Sequence, residues 1–214
     1  MKTITSCVEG LIKHQPFIED ALVRKIINFS ALAEDFKPLV EKELGRSVNP
    51  GSIVMALRRY FPQRRLSSKM ISELGDVVVR SGITDFTFLN SNTILDSQLK
   101  LLEHVKNIPK AYFTYSSNFH ESNILVSNDL TQVVEECFTF ETCITIKKNL
   151  SSLSIALPEN NSKTVGLYFY IFKLLAYEGI PIFEAISTSN YFTLFIEKQY
   201  VNQAFALVNE MKAQ

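Results

Sequence analysis

The chain has 214 residues, 46% hydrophobic and 21% charged, with 22 Lys and Arg balanced by 22 Asp and Glu. That composition excludes a disordered or low-complexity chain, and no apolar run approaches the ~18 residues needed to span a bilayer. The opening MKTITSCVEGLIKHQ lacks an apolar block followed by a small-residue cleavage site, so no signal peptide is read; three cysteines without a CxxC spacing fit a reducing cytoplasm.

Residues 1–70 carry twelve Lys/Arg and seven Asp/Glu, and residues 71–214 ten and fifteen, so a basic front precedes an acidic back. The front reads as helices. TSCVEGLIKHQPFIEDALVRK sets Val8, Leu11, Ile12, Phe17, Ile18, Ala21 and Leu22 at helical spacing, with Pro16 at a break or first turn. FSALAEDFKPLVEKELG offers Ser30 as N-cap and Gly45 as a stop. Asn49-Pro50 opens NPGSIVMALRRYF. Three short helices with a basic last one give a helix-turn-helix-like outline. In LRRYFPQRR, Arg58, Arg59, Arg64 and Arg65 would meet phosphates and guanine edges if the last helix entered DNA. Ser52 is its one non-basic polar side chain before Tyr60, which argues against sequence readout. The other reading is a helical module that docks on the rest of the chain or on a partner.

From about Asp76 the period changes. DVVVRSGITDFTFL reads as a strand, a break at Ser81-Gly82 and a second strand. LDSQLKLLEHVKNI places Leu95, Leu99, Leu102 and Val105 on one side of an amphipathic helix. AYFTYSS and SNILVSN are strands, DLTQVVEECF is a short helix capped by Asn128 or Asp129, and ETCITIKK is a strand. The order then recurs: SSLSIALP strand, KTVGLYFYIFKLLAYEG helix, IPIFEAIST strand, YFTLFIEK strand and QYVNQAFALVNEMK helix. β-α-β-β-α thus occurs twice, about 68 residues apart. Each copy is a split βαβ, ferredoxin-like unit. The second copy ends without its fourth strand, and the early strand near residues 76–81 is expected to supply it.

VGLYFYIFKLLAYEGIPIFEAISTSNYFTLFIEKQYVNQAFALV resembles the second unit of the tandem ACT-domain regulatory region of aspartate kinases. Gly166 stands at the glycine of that family's Pro-Gly-Val turn. Phe172, Leu175, Gly179, Ile180 and Ile182 stand at its helix-end positions, and Ser187-Thr188-Ser189 at its serine-threonine corner. Here the turn's proline is Val165, the corner's acidic residue is Asn190, and the first copy, LNSNTILDSQLKLL, has no glycine turn. No segment resembles the nucleotide-binding part of a kinase. The resemblance implies an α+β chain with a helical domain over 1–70, a first ACT unit over 76–147 and a second over 148–214.

It also implies a site. In families with this unit, an amino acid effector binds where the loop after the first strand meets the second strand of a neighbouring unit. Here the amides of Thr164, Val165, Gly166 and Leu167 at a helix start favour a carboxylate, and Gly166 lets a ligand approach the backbone. Asn160, Asn161 and Ser162 supply further polar groups, as do Ser187, Thr188 and Ser189. Asn90-Ser91-Asn92-Thr93 is the degenerate counterpart in the first copy. The plain alternative is two solvated turns. His14, His104 and His120 have no metal-ligand spacing and no nucleophile elbow is present, so no metal, cofactor or catalysis is expected. The reading is a cytoplasmic, non-enzymatic sensor of an amino acid, homodimeric through its ACT units. The alternatives are a ligand-responsive DNA-binding regulator and a free-standing partner of an amino-acid biosynthetic enzyme such as aspartate kinase.

Overall fold

Thr3 and Ser6 open the first helix reciprocally: Thr3 Oγ1 accepts from the Ser6 amide at 3.1 Å and Ser6 Oγ from the Thr3 amide at 2.9 Å, a capping box. The computed structural model describes residues 2–60 and 72–212 and divides into two units, Met1–Arg65 and Leu66–Gln214. In the first, α1 (Ile4–Lys13), α2 (Pro16–Val23), α3 (Phe29–Leu44) and α4 (Pro50–Arg59) follow one another. The cap of α3 is Asn28 rather than Ser30. Asn28 Oδ1 accepts from the amides of Ser30 and Ala31 at 3.0 and 3.2 Å, so Ser30 is a donor in the first turn. Gly45, at φ 66°, ends α3, and Asn49 with Pro50 opens α4. Val8, Ile12, Phe36, Val40, Ile53 and Leu57 form the shared core of these helices.

The second unit runs β1 (Val77–Leu89), α5 (Ile94–Val105), β2 (Phe113–Ser117), β3 (Glu121–Ser127), α6 (Thr131–Cys137), β4 (Cys143–Ala156), α7 (Leu167–Tyr177), β5 (Glu184–Ser187), β6 (Tyr191–Glu197) and α8 (Val201–Lys212). Its strands make one six-stranded antiparallel sheet in the order β2-β3-β1-β4-β6-β5. Two expected chain breaks are bends instead. The strands either side of Ser81-Gly82 are one strand, β1, in which Gly82 takes φ 79° at a register shift. ETCITIKK and SSLSIALP are likewise one strand, β4, in which Asn149 takes φ 62°. The boundary expected between residues 147 and 148 therefore falls inside a continuous strand. The early strand pairs Val77 with Ile155 and Val79 with Leu153, so it lies beside the C-terminal half of the sheet, in the fourth-strand position of the second copy.

Alternation sorts the side chains. On one face, Phe86, Phe88, Ile124 and Val126 pack with Ile94 and Leu101 of α5 and Val134 of α6. Leu153, Ile155, Phe192, Leu194 and Ile196 pack with Leu167, Ile171 and Leu175 of α7 and Val201, Ala204 and Val208 of α8. Among the described residues no helix packs on the opposite face, yet Ile83, Leu125, Leu150 and Phe195 on it are buried, with Tyr112 and Ile186 against them. Curling explains this. Four strand steps separate β2 from β6, roughly 19 Å in a flat sheet. The ring of Tyr112, next to β2, nevertheless lies 5.9 Å from that of Phe195 in β6. The sheet bends at Gly82 and Asn149 and closes this face on itself. Each large side chain buried there contributes about 1.5–3 kcal/mol.

Of the apolar side expected for α5, only Val105 packs against the core. Ile94 and Leu101 face the core, while Leu95 and Leu99 are each 61% exposed and Leu102 is 37% exposed. The helix carries two apolar stripes, and the sheet takes the one that Ile94 begins.

Candidate functional site

The loop from β4 to α7 and the corner from β5 to β6, far apart in sequence, are joined by one side chain. Asn161 is buried, and its Nδ2 donates to the carbonyls of Pro158 at 2.9 Å and Ser189 at 2.8 Å. The Leu157 amide donates to the Asn190 carbonyl at 2.8 Å beside it. Asn161 is thus a structural clamp whose amide nitrogen is already used.

Around it the other candidate residues divide. Thr164 is turned inward: its amide donates to the Asn161 carbonyl and its Oγ1 to the Asn160 carbonyl, both at 3.0 Å. Ser162 is exposed. Gly166, at φ 91°, is the residue before α7 and needs a conformation that side chains resist. Among the described residues, the amides of Val165, Gly166 and Leu167 make no hydrogen bond, and Val165 is 61% exposed. Leu167 is buried as a core residue, so its side chain is not available to a ligand. Ser187 Oγ and Tyr168 Oη share a hydrogen bond of 2.8 Å, which brings the corner to the first turn of α7. Thr188 closes the corner on the Tyr191 carbonyl, its amide at 2.8 Å, and Ser189 contributes its carbonyl to Asn161. Three adjacent amides without a hydrogen bond among the described residues therefore stand at the positive end of an eleven-residue helix, with the hydroxyls of Ser187 and Tyr168 nearby.

The start of α5 is built differently. Glu141, buried, sends its carboxylate there and accepts from Ser91 Oγ at 2.5 Å, Thr93 Oγ1 at 2.9 Å and Ser97 Oγ at 2.8 Å. Burial opposes its ionisation, but the hydroxyls and Lys100 outweigh it and hold the carboxyl below its usual range. The chain's own carboxylate sits where the degenerate first site was expected. Sequence reasoning missed Glu141.

A third polar cluster lies on the inner face of the curl. Asp85 is 1% exposed and accepts from Asn123 Nδ2 at 2.6 Å through Oδ1. Burial pushes its carboxyl up to about 6; the Asn123 bond opposes the rise and the charge of Glu184 adds to it. This cluster was also missed, although GITDFTFL shows a signal: alternation places Asp85 on a strand face between Ile83 and Thr87.

Arg58 and Arg59 are exposed at the end of α4, and the Arg58 guanidinium stands 5.8 Å over the Phe29 ring. Arg64 and Arg65 lie outside the described residues. Among the described residues, no three His, Cys, Asp or Glu side chains come together to hold a metal ion, and no helix is long and apolar enough to cross a membrane. Cys143 is exposed.

No protein-family model matches the sequence, and no curated protein matches it. Solved structures do share its fold. The ligand-free regulatory subunit of aspartate kinase from Thermus thermophilus aligns at a TM-score of 0.53 and 13% identity, over 64% of this chain and 98% of that one. The corresponding subunit from Thermus flavus gives 0.51 and 12%, over 64% and 97%. The Clostridium acetobutylicum aspartate kinase, described as an allosteric enzyme, gives 0.54 and 12%, over 64% of this chain and 34% of that one. At such identities the likeness establishes the fold: an α+β arrangement shared with aspartate kinase regulatory subunits.

Proposed function

We propose that the α+β unit is a regulatory module that binds a small carboxylate-bearing metabolite, an amino acid, at the start of α7. The observation that carries this reading is the contrast between two equivalent helix starts. At α5 the protein supplies its own carboxylate, Glu141, to three hydroxyls. At α7 the amides of Val165, Gly166 and Leu167 make no hydrogen bond among the described residues, and Ser187 is bonded to Tyr168 in the helix's first turn. A helix start of this kind suits an anion. The fold shared with aspartate kinase regulatory subunits supports the same role.

The module acts by linkage rather than catalysis. A ligand that engages the α7 loop bears on the β5–β6 corner through Asn161, so it favours whichever arrangement of the two presents the donors best. The exposed Leu95, Leu99 and Leu102 stripe on α5 supports self-association or docking on a regulated enzyme. A DNA-binding role for the helical unit rests on Arg58, Arg59, Arg64 and Arg65 and would show as affinity that falls steeply with salt.

The test is a thermal-shift screen of the twenty amino acids against the full chain. At a hundredfold excess over Kd, a bound ligand adds about 2.7 kcal/mol of stability, so at least one amino acid raises the melting temperature. Gly166→Ala, strained at φ 91° by about 1–2 kcal/mol, folds with a lower melting temperature and loses the ligand-dependent rise. A flat screen, or a rise that survives Gly166→Ala unchanged, removes the proposal.

A further inference from the structure

The inner face of the curl closes over a carboxyl group that the protein leaves half unpartnered. Asp85 is 1% exposed. It follows Ile83 by two residues on β1, and Ile83 belongs to the inner core with Leu125, Leu150 and Phe195. Asp85 Oδ1 accepts from Asn123 Nδ2 at 2.6 Å, while its Oδ2 is buried with no hydrogen-bond partner among the described residues. A carboxyl in that position is far easier to bury neutral than charged.

The neighbours sharpen the contrast. Lys147 stands directly opposite Asp85 across β1 and β4, but its Nζ donates to Glu197 Oε1 at 2.7 Å. That cation is engaged elsewhere. Glu184 of β5 adds a like charge. The groups that face Asp85 are thus Asn123 from β3, Lys147 and Cys143 from β4 and Glu184 from β5. Glu197 of β6 is joined to them through Lys147, and Tyr112, ahead of β2, packs on Phe195. Strand β5 ends the sheet on one side, while β1 and β3 lie towards the other, so Asp85 and Glu184 meet across the curl.

We propose that the curl is a proton-controlled latch: neutral Asp85 lets the inner face close, and ionised Asp85, repelled by Glu184 and without a donor for Oδ2, drives local opening of that face. The sign follows from linkage. Burial raises the Asp85 carboxyl to about 6 in the closed state, the Asn123 bond opposing the rise and the Glu184 charge adding to it. In the open state it returns towards the ordinary value of about 3.9. The closed state holds the proton more tightly. Closure is therefore strongest below about pH 4, weakens as pH rises to about 6, and is constant above that. Between pH 5 and pH 7 the closing equilibrium falls by about tenfold. The carboxyls of Glu141 and Glu197 lie below their usual range and stay ionised across this window.

Hydrogen exchange of the full chain tests the latch. The Phe183 amide, immediately ahead of β5, donates to the Phe195 carbonyl at 2.8 Å and reports local opening. With the intrinsic pH dependence of exchange divided out, its protection falls about tenfold from pH 5 to pH 7. The amides of α3, in the other unit, keep theirs. Asp85→Asn retains an oxygen for Asn123 and cannot ionise, so it keeps at pH 7 the protection it has at pH 5. Glu184→Gln, at a half-buried position on an edge strand, lowers the titration midpoint of the Asp85 carboxyl, followed by carbon NMR, and makes the fall smaller. Equal protection at pH 5 and pH 7 in the wild type overturns the proposal. So does a wild-type Asp85 carboxyl that titrates near its ordinary value, a fall that persists undiminished in Asp85→Asn, or an unmoved midpoint in Glu184→Gln. The first two are read on the wild-type chain, so they decide the matter even if a variant fails to fold. No metabolite enters the experiment, and the latch and the start of α7 can each fail without the other.

Discussion

Glu141 decides which helix start is closed. Its carboxylate satisfies Ser91, Thr93 and Ser97, which are 50, 48 and 44 residues away in the chain. Glu141→Ala leaves those hydroxyls without their acceptor and lowers stability by about 1–3 kcal/mol, read as a lower urea midpoint, and acetate recovers part of the loss. The folded carboxyl lies below its ordinary value. Its contribution is therefore full above the unfolded value of about 4.3 and fades as pH falls through the folded one. The gap between wild type and Glu141→Ala is constant at neutral pH and closes in acid. Equal midpoints at pH 7 would contradict this role. Glu141 was illegible in the sequence because nothing local ties it to hydroxyls so far away. Gly166 was legible through the resemblance, which places a turn glycine at the start of this helix; its positive φ emerges in the structure.

Two bends make the sheet what it is, and both look like something else in the sequence. Ser81-Gly82 reads as an end of a strand, because glycine punctuates strands. In the structure β1 continues through it, with Gly82 at φ 79°. Gly82→Val forces a β-branched residue into that region and costs about 1–2 kcal/mol or more, whereas Asn149→Gly, at φ 62°, is neutral or slightly stabilising. Urea denaturation checks both; an unchanged midpoint in Gly82→Val would deny the bend its dependence on glycine. The helix α5 teaches a related lesson. Its sequence ILDSQLKLLEHV holds two apolar stripes, and periodicity states that the helix is amphipathic without stating which stripe meets the sheet. Ile94 and Leu101 are inside, and Leu95 and Leu99 are left outside.

At the level of the molecule, the repeated order β-α-β-β-α carried most of the topology. It led to the pairing of Val77 with Ile155 and Val79 with Leu153, because a truncated second copy needs a strand from elsewhere. The curl was hidden. Ile83, Leu125, Leu150 and Phe195 alternate like residues on any half-buried sheet face, and the contact of Tyr112 with Phe195 reveals that the face closes on itself. That closure removes one argument for a dimer, an uncovered sheet, and transfers it to the exposed leucines of α5. It also means that β1 and β4 belong to both halves, so a ligand at one end of the unit strains a structure shared with the other.

The central claim is that the start of α7 is an open carboxylate site while that of α5 is filled from within. Backbone amide shifts, recorded as the amino acid that raises the melting temperature is titrated into the full chain, test it directly. The account predicts that the amides of Val165, Gly166 and Leu167 move together while those of Ile94 and Leu95 stay still. Movement at α5 alone, or none at α7, would contradict it.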